Sequence, residues 1–222
     1  RFMSLGRNCE VAFRYFRRNG FVESSLFQWS GFYTLAMMVE GLENFDRIFT
    51  GEVAGPDPLY TCRNTNLRAH GKLPQSTWEN GVTDENRAAA EADKADLLSR
   101  MAHLKKKFVS QLSEGGALVV YKARTEDWLR EDGESLVRRL YELLLKFGAR
   151  DFDFVLVLEE CCKRKQVQWN IPRFYVRYVS AFNPEDKVTD MSYGDKYGWR
   201  LIFDEFRPRV VKKQAHKFKF EG

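Results

Sequence analysis

Two stretches of the chain are almost wholly apolar, Ala117-Leu118-Val119-Val120-Tyr121 without a break and Phe152 to Leu158 with Asp153 as its one charged residue. Runs of that length belong to strands buried on both faces, as in a parallel sheet. Between them Leu136, Val137, Leu140, Tyr141 and Leu144 recur at helical spacing, which predicts an amphipathic helix from Glu134 to Phe147, closed by Gly148. Strand, helix, strand in this order is a βαβ unit. The alternation extends outward in both directions. Phe2-Met3-Ser4-Leu5 reads as a short buried strand, and Val11, Ala12, Tyr15 and Phe16 form the stripe of a helix from about Asn8 to Asn19 with Gly20 as its cap. Phe21 to Trp29 reads as extended and Phe32 to Leu42 as a second apolar helix. Gly51 to Pro58 is a loop, Tyr60 to Leu67 a strand or hairpin, and Lys72 to Val82 irregular. Thr83 is the expected N-cap of a long helix through Leu112, with Leu97, Leu98, Met101, Leu104, Phe108 and Leu112 as its core stripe. After the polar segment Lys163 to Asn170, Phe174 to Val179 reads as a strand and Tyr193 to Phe206 as a closing helix. In the tail, Val210 to Phe220, lysines alternate with phenylalanines as in a charged edge strand. The expectation is one α/β domain over residues 1–222, a mainly parallel sheet flanked by helices, with residues trimmed from its N-terminus.

Composition narrows the function classes. The chain has 222 residues, 44% hydrophobic and 30% charged, as in ordinary globular proteins. A surplus of 36 basic over 31 acidic residues leaves a net charge of +5 on a mixed surface. Neither an RNP-type strand nor zinc-finger spacing is present, so no nucleic-acid partner is expected. No run approaches the roughly 18 apolar residues of a membrane span. Cys9, Cys62, Cys161 and Cys162 make no disulfide framework, and the adjacent pair bridges poorly, so reduced thiols and a cytoplasmic setting are expected. Three scattered histidines without a Cys-x-x-Cys pair leave no metal-ligand spacing, and no cofactor is expected. An aromatic share of 14%, with 18 Phe and 5 Trp, suits a small-molecule, peptide or glycan substrate. Arg14, Arg17 and Arg18 read as a solvated helix face with Glu10 pairing Arg14 at i,i+4, and His103 with Lys105 to Lys107 as another.

Chemistry concentrates in Ser4-Leu5-Gly6-Arg7-Asn8-Cys9, between the first strand and its helix. A strand turning through Gly6 into a helix leaves backbone N–H groups free, with the positive end of the helix dipole behind them. Such a turn holds an anion, or stabilises a thiolate at Cys9. Cysteine is also a small buried hydrophobe, and packing is the plainer account of Cys9.

The motif S-L-G-x-N-C, followed by Ser25-Leu26-Phe27-Gln28-Trp29, resembles a bacterial family of unknown function classed with papain-like cysteine peptidases. That family continues to an F-D-W segment and a later H-D pair. The counterparts here are Phe27-Gln28-Trp29 and His70-Gly71, so both carboxylates are replaced. The resemblance implies a Cys9 nucleophile and a His70 base, with an oxyanion or ligand site drawn from Ser4, Gly6, Arg7, Asn8, Gln28 and Trp29. A third triad member has to come from elsewhere. Two other readings stay open. The Gly6 turn would suit the diphosphate of a nucleotide sugar in a glycosyltransferase-type domain, and loss of both motif carboxylates would suit a non-catalytic binding module.

Overall fold

In the computed structural model the described residues are 1–5, 9–20, 24–28, 30–56, 59–78, 81–164, 169–184, 187, 190 and 192–206. The expected tail strand, Val210 to Phe220, lies outside them. The main sheet has the order β1 (Phe2–Ser4), β6 (Leu118–Lys122), β7 (Asp153–Glu159), β8 (Phe174–Val179), and every pair is parallel. This is the expected α/β architecture. The continuous apolar runs follow from burial on both sides. Val119, Tyr121, Phe154 and Leu156 face one core, while Leu118, Val120, Val155 and Val157 face the other.

The second of these cores is closed by α1 (Glu10–Asn19) and α6 (Lys196–Glu205). Tyr15 of α1 stacks on Phe2 with ring centroids 3.8 Å apart, and Phe203 of α6 meets both rings edge-on. Gly20 ends α1 in the left-handed conformation, as its sequence position predicts. The opposite face is covered by α2 (Leu35–Glu43), α3 (Arg87–Ser113) and α5 (Gly133–Lys146). Leu97, Met101, Leu104, Phe108 and Leu112 of α3 are buried as expected, whereas Leu98 stays half-buried. Asn86, not Thr83, precedes α3, and its side-chain oxygen accepts from the Thr83 N–H at 2.7 Å. A short helix, α4 (Thr125–Leu129), interrupts the segment after β6 where no helix was expected.

The hairpin expected around residue 64 belongs to a second, antiparallel sheet. It comprises β2 (Ser30–Gly31), β3 (Val53–Ala54), β4 (Tyr60–Cys62) and β5 (Arg68–Ala69), in the order β2-β5-β4-β3. Its strands are two or three residues long, too short for alternation to register. Val53, Tyr60, Cys62 and Ala69 join the same core as Met3 and Val119, so this sheet packs against the face covered by α3.

The long helix sets the vertical scale. It has 27 residues, about 40 Å, against about 17 Å for the five residues of β6. Gly115 and Gly116, both at positive φ, turn the chain from the end of α3 into β6. α3 is therefore more than twice as long as the strand it leads into, and its N-terminal half carries the second sheet. The antiparallel sheet hangs on that half, through Tyr60 Oη donating to the Ala90 carbonyl at 3.2 Å and an Arg100 guanidinium nitrogen donating to the His70 carbonyl at 2.6 Å.

Candidate functional site

The carboxyl ends of β1, β6, β7 and β8 meet the N-termini of α1 and α6, the region where open α/β sheets bind ligands. Ser4 ends β1, buried, and the Leu5 N–H continues the ladder to the Val120 carbonyl at 2.8 Å. Gly6, Arg7 and Asn8, on which the anion-cradle expectation rests, lie outside the described residues, as does Trp29. Cys9 stands at the N-cap of α1 with φ −73° and ψ −6°, and its carbonyl accepts from Phe13 N–H at 2.9 Å.

The Cys9 thiol departs from expectation. A helix terminus lowers a thiol pKa, but here burial acts more strongly and pushes it up to about 11, only partly offset by a hydrogen bond from its own backbone. Cys9 is a neutral thiol at neutral pH.

Directly beside it lies an arrangement that the sequence pattern did not disclose. Glu10 is fully buried, and its Oε2 accepts from Lys122 Nζ at 2.7 Å, itself buried at the end of β6. Glu10 Oε1 accepts from Trp199 Nε1 of α6 and from Asn183 N–H after β8, both at 3.2 Å, with Arg14 Nε at 3.6 Å. One guanidinium nitrogen of Arg14 donates to Asn183 Oδ1 and to the Tyr193 carbonyl, each at 2.5 Å. Lys122 Nζ also lies 4.6 Å from the centre of the Phe182 ring. The Glu10–Arg14 pairing is present as expected, but Arg14 is 6% exposed and belongs to this buried network, not to a solvated face. A lysine closing the apolar run of β6 was the available signal, since a buried ammonium requires a partner.

Further along the edge, Glu159 at the end of β7 accepts from Thr125 Oγ1 at 2.6 Å and from Phe182 N–H at 3.1 Å. The sulfurs of Cys161, exposed, and Cys162, buried, lie 3.8 and 3.7 Å from the same Thr125 hydroxyl. Burial pushes the Cys162 thiol up. All four cysteines are free thiols. Among the described residues no three His, Cys, Asp or Glu side chains are grouped to hold a metal ion, and no helix is long and apolar enough to cross a membrane.

Neither a family model, nor a curated protein, nor a solved structure matches the chain. The functional reading therefore rests on the residues themselves.

His70 follows β5 in the antiparallel sheet and its side chain is exposed. Partial burial of the ring, and then the positive charges of Arg100 and Arg68, lower its pKa and keep it neutral at neutral pH. Arg100, about 20 Å along α3 from its C-terminal end, donates to the His70 carbonyl and so ties His70 to the middle of that helix. At the adjoining Gly71, a Cβ would meet Asp93 Oδ2 at 2.0 Å and Tyr60 Cε2 at 2.9 Å. Asp93, buried on α3, accepts from Lys72 N–H at 2.6 Å, from Leu73 N–H at 3.3 Å and from Tyr60 Oη at 3.1 Å. The space where residue 71 would carry a side chain is thus filled by a carboxylate from another element. Gln28 is buried and local in its bonding, its Oε1 accepting from Ser25 N–H at 3.3 Å. That contact stabilises the turn before β2 and leaves Phe27 to the core.

Lys105 and Lys107 of α3 also depart from the solvated reading. Lys105 Nζ donates to the Asp46 and Ile48 carbonyls at 2.8 and 3.1 Å, and Lys107 Nζ to Ser24 Oγ at 3.2 Å. They fasten the connections between elements to the helix.

Proposed function

We propose that the chain is a thiol-dependent hydrolase or transferase acting at the carboxyl edge of its parallel sheet, with Cys9 as nucleophile and His70 as base. The observation that carries this reading is the anchoring of Cys9. The thiol stands at the start of a helix locked to β6 by Glu10 and Lys122, at the edge where such sheets bind ligands. His70, exposed and neutral at neutral pH, is available to serve as the base.

The protonation states favour general-base chemistry over a preformed thiolate–imidazolium pair. Cys9 and His70 are both neutral at neutral pH. As sulfur attacks an electrophilic carbon, its proton passes to a ring nitrogen of His70 and the S–C bond forms. The leaving group then departs with that proton. Water, or an acceptor in a transferase, attacks the thioester, gives its proton to His70, and the proton returns to sulfur as the S–C bond breaks.

The test uses p-nitrophenyl acetate, with intact-mass analysis of the quenched protein. The expected result is one acetyl group on Cys9, formed more slowly in His70→Ala and not at all in Cys9→Ala. Acetylation confined to Cys161, or a rate unchanged by His70→Ala, would overturn the assignment.

A further inference from the structure

A groove of about 440 Å³ runs between α1 and α6 on the outside of the sheet, lined by Arg14, Arg17, Arg18, Lys196, Arg200 and the edges of Trp199 and Phe203. Five cations and no acid form its lining. Two of the cations are compensated from just outside it. Arg14 adjoins Glu10, and Arg18 donates through Nε to Asp204 Oδ1 at 2.9 Å. Arg200 shares Asp204 more loosely, at 3.6 Å. Arg17 and Lys196 are exposed and form no ion pair among the described residues, although Lys196 lies in the field of Asp190. Arg14 is buried, with its Nε turned to Glu10 Oε1 at 3.6 Å, so its charge stands fixed in the wall of the groove.

Like charges gathered around one concavity repel each other and attract a counter-charge. Five cations against Glu10 and Asp204, two carboxylates, leave an excess of about +3, to which an arginine fork and a lysine on opposite walls contribute. A carboxylate brings one negative charge, whereas a phosphate monoester brings about two and pyrophosphate about two to three, each with several acceptor oxygens. The volume lies within the range of small-ligand sites, roughly 300 to 1,000 Å³.

We propose that the groove between α1 and α6 is a binding site for a phosphate dianion, separate from the Cys9 edge. The solvated-face reading of Arg17 predicts no such specificity. Sodium pyrophosphate is the probe, in thermal unfolding and calorimetric titration against sodium chloride at matched ionic strength. Pyrophosphate should raise Tm where chloride does not, because a ligand that binds only the folded state stabilises it. Arg17→Ala/Lys196→Ala, both on exposed positions, should lose at least tenfold in affinity while keeping the wild-type circular dichroism spectrum. Lys196→Gln gives a milder second variant with an intermediate loss. No Tm shift beyond the chloride control, or equal affinity in the double variant, would overturn the proposal. Co-sedimentation with vesicles containing phosphatidic acid, whose headgroup is a phosphate monoester, separates the sources of the group. Vesicle binding displaced by pyrophosphate identifies a lipid headgroup, and a pyrophosphate response without vesicle binding identifies a soluble phosphate.

Discussion

Cys9 keeps its proton until the solution is strongly alkaline, so its reactivity has to be asked for by a base. Iodoacetamide at pH 7 should label exposed Cys161 ahead of Cys9, with Cys9 labelling rising about tenfold per pH unit toward its pKa near 11. Peptide mapping after timed quenching measures this, and fast labelling of Cys9 at pH 6 would contradict it. With His70 as the proposed base, the rate of p-nitrophenyl acetate turnover should rise with pH below the ordinary histidine range and stay level through neutrality. At Glu10 the expectation concerns stability. Glu10→Ala leaves the Lys122 ammonium buried without its carboxylate, and should cost about 3 to 5 kcal/mol in urea unfolding. Removing both charges, as Glu10→Leu with Lys122→Met, should cost less than Glu10→Ala alone. Gly71 is governed by space. Gly71→Ala drives a methyl into Asp93 and should cost about 1 to 3 kcal/mol, a penalty that shrinks when Asp93 is already alanine. Gly71→Asp, which would restore the carboxylate of the family this motif resembles, forces two carboxylates into one space and should be worse.

At the scale of elements, what the sequence revealed depends on length. The runs of β6 and β7 and the stripes of α1, α3 and α5 repeat often enough for periodicity to identify them. The strands of the antiparallel sheet span two or three residues and have no period to read. Cys9 was legible as the start of a helix because Gly20 and the apolar stripe fixed where that helix ran. The buried network around Glu10 was not, because its members come from α1, β6, the segment after β8 and α6, and only the fold brings them together. The arginines of α1 show the same limit. A helical wheel puts Arg14 near Arg17 and Arg18, but it does not show that α6 packs alongside and buries one of the three.

For the whole molecule, alkaline pH is the natural weak point. Cys9 and Tyr15 ordinarily titrate at 9.0 and 10.0, and in the fold burial raises them to about 11 and about 12. Burial also raises Tyr60, reinforced by Asp93. A raised pKa in the folded state means that the unfolded chain gives up these protons first. The stability held by the neutral forms is complete below pH 9 and lost as pH rises through 11 and 12. The urea midpoint should therefore hold level up to about pH 9 and fall steeply above it, and a midpoint unchanged at pH 11 would show that these groups are not buried in solution.

The length of α3 gives the molecule a beam. Leu97 and Met101 are buried in the same core as Leu104, Phe108 and Leu112, and Tyr60, Asp93 and Arg100 fasten the antiparallel sheet along the same helix. One continuous core therefore runs from the main sheet through α3 into the antiparallel sheet. A void opened anywhere along it is shared by both sheets, and the two should melt together in a single step.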